Sequence, residues 1–264
     1  MKNEILSYLP ASFPWRGNIH HFDTINSTNT RAKEMAAAGA PHGTVLIADS
    51  QTGGRGRLGR SFHSPAGTGI YLSVILRPSC PATELMHLTC AVAVAAADGI
   101  EAATSLRPGI KWTNDLVVAK KKLGGILTEL SVNQTGMAEF AVVGIGINCG
   151  QKAGDFPPEI ENIATSLHLC TGKQIDRANV TAQILLALEK ICGQLQDAEA
   201  ILGRYRKDCM TVGQEISLVR GDEIRHGKAL DVDKEGALVV EFSDGHIENV
   251  ASGEVSVRGM YGYV

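Results

Sequence analysis

A glycine- and arginine-rich segment near the amino end restricts the possible folds of this chain more than any other feature. Residues 54–59, Gly-Arg-Gly-Arg-Leu-Gly, match the Gly-x-Gly-x-x-Gly pattern of dinucleotide-binding folds, and the apolar run 44–48 precedes them. That pattern needs a helix to begin at its third glycine, because the helix N-terminus holds the pyrophosphate. No helix of useful length can begin in the next residues, 60–69, which read Arg-Ser-Phe-His-Ser-Pro-Ala-Gly-Thr-Gly. The sequence therefore excludes the Rossmann fold, and the absence of a Gly-Lys-Ser/Thr ending excludes a P-loop.

The same segment is a candidate anion-binding loop. Arg55, Arg57 and Arg60 alternate with glycines. Glycine lets backbone N–H groups approach an anion closely, and arginine binds phosphate or carboxylate oxygens in bidentate pairs. A solvated surface loop is the alternative, as is an RNA-binding Gly/Arg segment, although interleaved aromatic residues are missing. Taken alone, the loop leaves these alternatives open.

Composition limits the partners of the chain. The formal net charge is -3, so bulk electrostatics draws it neither to nucleic acid nor to anionic membranes. An anionic ligand must therefore be held by a local positive cluster. The six cysteines are scattered without a Cys-x-x-Cys pair, which favours reduced, mostly buried thiols over a zinc or redox site. The first residues lack an apolar core of signal-peptide length, and the longest apolar stretch, 90–97, is too short for a membrane span. We expect a cytoplasmic protein.

Hydrophobic periodicity predicts an α+β (mixed α/β) chain with an appended all-β module. We expect a short arm over residues 1–19, a larger domain over 20–208 and the module over 209–264. In the larger domain a helix begins after Asn26, capped by Ser27, Thr28 or Asn29. Predicted strands cover 44–48, 69–76, 110–118, 125–130 and 139–147, and predicted long helices cover 84–105 and 179–206. Five short β runs at 215–220, 223–231, 236–242, 246–250 and 254–258 indicate a small barrel.

Three further clusters contain groups suited to binding. In Lys111-Trp112-Thr113-Asn114-Asp115, a lysine and an aspartate four residues apart on one strand share a face and can meet one ligand group. A structural ion pair beside a buried indole is the alternative. The lysines at 120–122 precede two glycines at a predicted turn, where such a run is usually solvated. Val-Gly-Ile-Gly-Ile-Asn at 143–148 ends a buried strand with small residues, which admit a ligand or a neighbouring backbone.

In this order, the clusters resemble the catalytic domain of biotin–protein ligases. The series is Ser-Thr-Asn at 27–29, Gln-Thr-Gly-Gly-Arg-Gly-Arg at 51–57, Lys-Trp-x-Asn-Asp at 111–115, Lys-Leu-Gly-Gly-Ile-Leu at 122–127 and Gly-Ile-Gly-Ile-Asn at 144–148. The tail, with Gly-Gln-Glu-Ile at 213–216 and Ser-Gly-Glu-Val-Ser-Val-Arg at 252–258, is similar to that family's SH3-like C-terminal domain. The resemblance implies a class II synthetase-like domain, with a mixed sheet flanked by helices, followed by an SH3-like β-barrel. The family often has proline where Thr113 stands and tryptophan where Phe62 stands.

The resemblance implies a two-step reaction. Biotin's carboxylate attacks the α-phosphate of ATP to give biotinyl-5′-AMP and pyrophosphate. A lysine of the biotin carboxyl carrier protein or domain of acetyl-CoA carboxylase, or of a related carboxylase, then attacks the mixed anhydride and AMP leaves. Two anions meet in the first step, so positive charge is the main catalytic requirement. The catalytic residues that the resemblance implies are Lys122, Arg55, Arg57 and Lys111.

The resemblance also assigns binding residues. Those for biotin are Ser27, Thr28, Asn29, Gln51, Gly54, Arg55, Arg57, Lys122, Gly124 and Gly125. Those for ATP are Arg55, Gly56, Arg57, Arg60, Lys111, Asn114, Asn148 and Arg258. The proposed ligands of Mg²⁺, which would screen the triphosphate, are Asp115 and Asn148. We also expect residues 52–60 to close over the reactive intermediate, since the loop contains four glycines.

Two other functions remain open at this point. Lipoate–protein ligases share the architecture and the adenylate chemistry, although the arginine-rich loop and the polar set at 27–29 and Gln51 favour biotin. A biotin-sensing or RNA-binding module without catalysis is the alternative from another class. Because the ligase motifs begin almost at once, we expect no helix-turn-helix domain and no DNA binding. A homodimer in which the strand 139–147 extends a sheet is also open.

Overall fold

The larger domain is built on a seven-stranded mixed sheet in the computed structural model, which describes residues 1–251 and 256–259. Its strands are β1 (Ile19–Ile25), β2 (Thr44–Gln51), β3 (Gly69–Leu76), β4 (Gly109–Lys111), β5 (Asp115–Val118), β6 (Lys121–Val132) and β7 (Ala138–Asn148). Their order across the sheet is β1-β2-β3-β7-β6-β5-β4. The β1–β2 pair is parallel and the other pairs are antiparallel. This confirms the mixed α+β class.

Six helices accompany the sheet in the described residues. They are α1 (Lys2–Tyr8), α2 (Thr28–Ala37), α3 (Leu88–Thr104), α4 (Leu167–Thr171), α5 (Arg177–Cys192) and α6 (Ala198–Asp208). The alanine-rich α3 is buried along most of its length. It packs closely on α5 at Gly99, where an added Cβ would lie 2.5 Å from the Cα of Ile184. Small residues on α3 thus set the close approach of these two helices.

The predicted helix over 179–206 was wrong, because the chain makes two helices there. The first, α5, ends at Cys192 with Gly193 as its C-cap residue. The second, α6, begins after Asp197, whose carboxylate accepts a hydrogen bond from the N–H of Ala200. An N-capping aspartate satisfies a donor that the first turn otherwise leaves unpaired. The cap therefore favours a new helix over a continuous one.

The predicted strand over 110–118 was also wrong, because it is a hairpin of two short strands. Lys111 at the end of β4 pairs with Asp115 at the start of β5. The peptide bond between Trp112 and Thr113 in the turn is cis. Directly opposed residues of an antiparallel pair project on the same face. Lys111 and Asp115 therefore share a face, as expected, but through cross-strand pairing.

The predicted amino-terminal arm belongs to the core. Helix α1 packs against α5, and its Ile5 is fully buried. Leu9, Phe13 and Trp15 follow as further buried residues of the same hydrophobic cluster. The segment before β1 thus covers apolar surface of the larger domain.

The C-terminal module is a five-stranded antiparallel sheet. Its strands are β8 (Glu215–Arg220), β9 (Glu223–Val232), β10 (Leu238–Phe242), β11 (Ile247–Val250) and β12 (Ser256–Gly259), in the order β11-β10-β9-β8-β12. The predicted run 254–258 lies partly outside the described residues. Closure into an SH3-like barrel stays a prediction.

The module is attached to the β4–β5 hairpin through Trp112. The indole Nε1–H of Trp112 donates to the carbonyl of Gly236 at 3.0 Å. The backbone N–H of Trp112 donates to Oγ1 of Thr211 at 2.9 Å. Buried residues of both sheets belong to one hydrophobic cluster. Hydrogen bonds from the C-terminal module to Trp112 therefore hold the β4–β5 hairpin in place.

Two expectations about surfaces need correction. Strand β7 lies between β3 and β6 and pairs with both, so it offers no edge that could extend a sheet in a dimer. The segment Ala82–Thr104 is long and apolar enough to cross a membrane by length and composition, contrary to the sequence reading. In this structure 72% of its most apolar window is buried, as in the core helix of a folded domain.

Candidate active site

A cleft of about 630 Å³ opens beside the glycine–arginine loop, between α2, β6, β7 and the β4–β5 hairpin. That volume is within the range of small-molecule binding sites. Its lining combines hydroxyl and amide side chains, cationic side chains and apolar residues that include Phe62, Trp112 and Ile145. The predicted residues that the cleft brings together are Ser27, Thr28, Asn29, Gln51, Arg55, Gly56, Arg57, Arg60, Lys111, Asn114, Asp115, Lys122 and Gly125. Val257 of the C-terminal module also lines it.

The start of α2 supplies the polar end of the cleft. Ser27 is the N-cap residue, and its hydroxyl accepts a hydrogen bond from the N–H of Thr30, as the sequence predicts. Thr28 and Asn29 therefore occupy the first turn, and both are buried. Gln51, at the end of β2, accepts the N–H of Thr28 at 2.8 Å on its Oε1. Its Nε2 donates to the hydroxyl of Ser64 at 3.0 Å, which fixes the orientation of the amide.

The side-chain amide of Asn29 is held by three hydrogen bonds. Its Nδ2 donates to the carbonyl of Leu127 at 3.2 Å and to Oε2 of Glu129 at 3.0 Å. Its Oδ1 accepts a hydrogen bond from the hydroxyl of Ser73 at 2.6 Å. Beneath it lies Gly144, where an added Cβ would come within 1.9 Å of the Asn29 Oδ1. The glycine is therefore required for the packing of Asn29.

Glu129 joins the polar end to the glycine–arginine loop. Its carboxylate pairs with Nζ of Lys33 at 2.7 Å and with Nη1 of Arg55 at 3.1 Å. Burial raises the pKa of this carboxyl, but hydrogen bonds from Lys33 and Asn29 and the charge of Arg55 outweigh it, so the pKa lies below its ordinary value. Glu129, Lys33 and Ser73 were absent from the sequence prediction.

Cationic side chains form a second group in the lining of the cleft. Nζ of Lys122 pairs with Oδ1 of Asp115 at 2.7 Å, and Nη1 of Arg57 donates to Oδ1 of Asn114 at 3.0 Å. Lys111 is buried and lines the cleft. Burial lowers the pKa of the Arg57 guanidinium, an effect that Asp115 opposes. Positive charge thus exceeds negative charge here, in a protein whose net charge is negative.

The glycine–arginine loop folds back on itself beside these cations. The N–H of Phe62 donates to the carbonyl of Gly54 at 2.9 Å, and the N–H of Gly56 donates to the carbonyl of Arg60 at 2.7 Å. An added Cβ at Gly54 would lie 2.4 Å from the Phe62 carbonyl oxygen, so this close approach requires glycine. Leu58 stands at the tip with a φ of 53° and is 56% exposed.

Several predicted residues lie outside the cleft lining. Asn148 is buried at the end of β7, where its Nδ2 donates to the carbonyl of Thr165 at 3.0 Å. Gly124 faces the neighbouring strand, since an added Cβ would lie 2.4 Å from the Gly146 carbonyl oxygen. Gly54 borders an adjacent pocket on the far side of the loop. Arg258 lies in β12, opposite Ser217, but its side chain is outside the described part of the structure.

The cleft combines buried hydroxyl and amide groups with a group of cationic side chains, which is an arrangement suited to a small anionic ligand. Family models identify the protein further: the biotin/lipoate A/B protein ligase family matches residues 21–148, and the biotin protein ligase C-terminal domain matches residues 211–258. The chain belongs to the biotin protein ligase family.

Individual relatives agree with this assignment. The chain is 40% identical over 251 residues to the bifunctional ligase/repressor BirA of Bacillus spizizenii, covering 89% of this chain and 72% of the relative. It is 33% identical to the biotin–[acetyl-CoA-carboxylase] ligase of Mycobacterium tuberculosis, covering 87% and 85% of the two chains. The biotin protein ligase of Aquifex aeolicus in complex with biotin and ATP superimposes with a TM-score of 0.78 at 32% identity, covering 92% and 99%.

Proposed function

We propose that this chain activates biotin with ATP and attaches it to a lysine of an acceptor protein. The observation that carries the proposal is that one cleft joins a buried amide and hydroxyl end to a concentration of cations. Biotin has a ureido ring with one carbonyl acceptor and two N–H donors, and a carboxylate at the end of an apolar chain. ATP brings the second anion. The two ends of the cleft therefore match the two reacting molecules.

The cations serve the first step. Biotin's carboxylate and the α-phosphate repel each other, and preorganised donors lower that barrier in a site where they need no reorganisation. Lys122 donates a hydrogen bond to Asp115, and Arg57 donates one to the neighbouring Asn114. We assign Lys122 to bridge the carboxylate and the α-phosphate. Arg55, Arg57, Arg60 and Lys111 stabilise the phosphate oxygens and the departing pyrophosphate.

The polar end serves selection of the ligand. Buried polar groups must be paired, so a pocket built for the ureido ring rejects molecules that lack it. We assign this role to Ser27, Thr28 and Gln51, whose orientation is fixed by hydrogen bonds to their neighbours. The apolar chain of biotin would lie against Gly125, Gly144 and Ile145, which line the cleft between the two ends.

Magnesium enters as part of the MgATP substrate, where it screens the triphosphate charge. Of the two ligands predicted from the sequence, the carboxylate of Asp115 lines the cleft next to Lys122, and carboxylate oxygens suit this ion. Asn148 lies apart, with its amide turned to Thr165. Asp115 is thus the better supported of the two ligands.

The acceptor in this proposal is the biotin carboxyl carrier domain of acetyl-CoA carboxylase or a related carboxylase, and the protein acts in the cytoplasm. Two relatives bear the name biotin–[acetyl-CoA-carboxylase] ligase, which supports this choice of acceptor. Other relatives are named bifunctional ligase/repressors. The proposal carries over the ligase activity alone, and the absence of DNA binding stays a prediction.

The test is ATP–pyrophosphate exchange by the purified protein with biotin, with lipoate or with neither acid. We expect exchange with biotin, because adenylate formation is reversible and returns labelled pyrophosphate to ATP. Exchange with lipoate alone would assign the chain to the lipoate ligases. Exchange with neither acid, in folded protein with MgATP, would contradict the proposed chemistry.

We also expect residues 52–60 to become resistant to protease when the adenylate forms. The exposed Leu58 and the four glycines of this segment make it accessible in the free protein, and closure would keep water from the anhydride. Limited trypsin digestion, which can cut after Arg55, Arg57 and Arg60, would be followed by mass spectrometry with and without biotin and MgATP. Equal cutting rates at these arginines under both conditions would contradict closure.

A further inference from the structure

The end of helix α6 runs along strand β4 at the base of the β4–β5 hairpin. Cys209, the residue after α6, forms a parallel bridge with Ile110, and the N–H of Met210 donates to the carbonyl of Ile110 at 2.8 Å. Two buried hydroxyl side chains, Tyr205 and Thr211, belong to this stretch of the chain. A buried hydroxyl is costly unless it is hydrogen-bonded, so each of them requires a specific partner.

Tyr205 finds its partner in the backbone of the hairpin. Its hydroxyl donates to the carbonyl of Thr113 at 3.0 Å, and the direction is fixed because a backbone carbonyl can only accept. Burial raises the pKa of Tyr205 well above its ordinary value, so the phenol keeps the proton that it donates. The Thr113 carbonyl shares one planar peptide group with the N–H of Asn114. Tyr205 therefore fixes the orientation of the peptide group from which Asn114 begins.

Thr211 holds the other side of the same turn. Its Oγ1 accepts a hydrogen bond from the backbone N–H of Trp112 at 2.9 Å. That N–H belongs to the peptide group that begins at Lys111, so Thr211 fixes the backbone directly after this lysine. The two hydroxyl groups thus hold the two peptide groups that flank Trp112 and Thr113.

The residues next to these peptide groups meet the cations of the cleft. Asn114 accepts a hydrogen bond from Arg57 at 3.0 Å, and Asp115 pairs with Lys122 at 2.7 Å. Lys111 itself is buried and lines the cleft. A rotation of either peptide group would displace these side chains together. Small displacements of groups that must be aligned for a reaction lower its rate steeply.

We infer that Tyr205 and Thr211 are positioning residues for adenylate formation. Neither side chain is part of the cleft lining in the described part of the chain, so both act through the backbone of the hairpin. They fix the amide and the carboxylate against which Arg57 and Lys122 are aligned. The inference rests on the proposed function, since adenylate formation is the step that it concerns.

The test is ATP–pyrophosphate exchange by the full chain at varied biotin and MgATP. Tyr205→Phe keeps the ring but removes the donor, which leaves the buried Thr113 carbonyl without this hydrogen bond. We expect kcat to fall about 10-fold, because the displaced hairpin misaligns the cations in the transition state. The KM for biotin should change by less than about 2-fold. The groups assigned to the ureido ring lie on α2 and at the end of β2, apart from the hairpin.

Matched controls remove the same hydroxyl groups at other places. Tyr8→Phe removes a phenol hydroxyl that donates to Asp176 on the exposed surface. Thr211→Val is compared with Thr181→Val, because Thr181 is a fully buried residue of α5 whose hydroxyl donates to the carbonyl of Arg177. Both controls should keep the native kcat, even where Thr181→Val lowers the melting temperature. Thr211→Val should lower kcat in the same way as Tyr205→Phe.

A double-mutant comparison separates positioning from a loss of stability. In the Arg57→Ala background one of the aligned cations is missing, so Tyr205→Phe should lower kcat by only about 3-fold or less. A loss of stability alone would act equally in both backgrounds. If the full effect of Tyr205→Phe persisted in Arg57→Ala, the inference would be overturned.

A native kcat in Tyr205→Phe, in protein that circular dichroism shows to be folded, would also overturn the inference and leave the proposed function standing. If Tyr205→Phe does not fold, Thr211→Val decides in its place: a lowered kcat supports the inference and a native kcat overturns it. Absence of biotin-dependent exchange in the native protein would instead contradict the proposed function.

Discussion

Replacing Lys122 by alanine is expected to lower biotin-dependent ATP–pyrophosphate exchange by about 10²- to 10³-fold while the fold stays intact. Lys122 lines the cleft, and its Nζ is held 2.7 Å from Oδ1 of Asp115. In the proposed reaction this ammonium group would lie where the carboxylate and the α-phosphate meet. Without it, the Asp115 carboxylate would face two incoming anions with less positive charge beside it, which raises the barrier further.

The adjacent lysine offers a matched control. Lys121 is exposed and does not line the cleft, so Lys121→Ala should keep the native exchange rate. Lys122→Arg preserves the charge and should recover part of the activity, since geometry as well as charge contributes. Thermal unfolding of each variant reports on the fold, where we expect changes of about 1 kcal/mol or less for this partly exposed ion pair. A near-native exchange rate in folded Lys122→Ala would remove Lys122 from catalysis.

The cationic part of the site was predictable from the sequence because its residues occur in compact motifs. The Gly-Arg loop, the Lys-Trp-Thr-Asn-Asp segment and the lysine run each contain their chemistry within a few positions. The fold then needs only to bring three segments together. The structure does so in one cleft, which places Arg57 next to Asn114 and Lys122 next to Asp115.

The supporting residues were not predictable in the same way. Glu129 lies in an alternating strand, Leu-Thr-Glu-Leu, where a glutamate usually faces solvent. Its partner Arg55 is 74 positions away in the sequence, and Asn29 is 100 positions away. Ser73 is a single hydroxyl in an apolar strand, which is ordinarily unremarkable. Only the tertiary pairing of these segments shows what they hold in place.

The errors in secondary structure have two different physical sources. The break between α5 and α6 had a local signal, because Gly193 and Asp197 are residues that end and begin helices. The β4–β5 turn had a weaker local signal, since it contains Asn114 but neither glycine nor proline. It is held by long-range hydrogen bonds from Trp112 to Gly236 and Thr211. Local propensity cannot anticipate contacts between residues so far apart in the chain.

Replacing Gly144 by alanine is expected to weaken biotin binding by about 100-fold, through displacement of Asn29. Gly144 pairs with Ser73 on one side and with Leu127 on the other, and these residues hold the amide that would meet the new Cβ. The added Cβ would lie only 1.9 Å from Asn29 Oδ1, and a small rotation cannot relieve this clash because three hydrogen bonds fix that side chain. We expect about 1–3 kcal/mol of lost stability from overpacking.

The larger effect is expected on ligand binding, since Asn29 accepts a hydrogen bond from Ser73, whose hydroxyl also contacts that of Thr28 in the lining of the cleft. Calorimetric titration with biotin gives the affinity, and thermal unfolding gives the stability. Gly150→Ala is the matched control two positions beyond β7, where a Cβ would make only ordinary contacts at 3.6 Å or more. It should leave both quantities near their native values. Native biotin affinity in Gly144→Ala would mean that the position of Asn29 does not determine how the ureido ring binds.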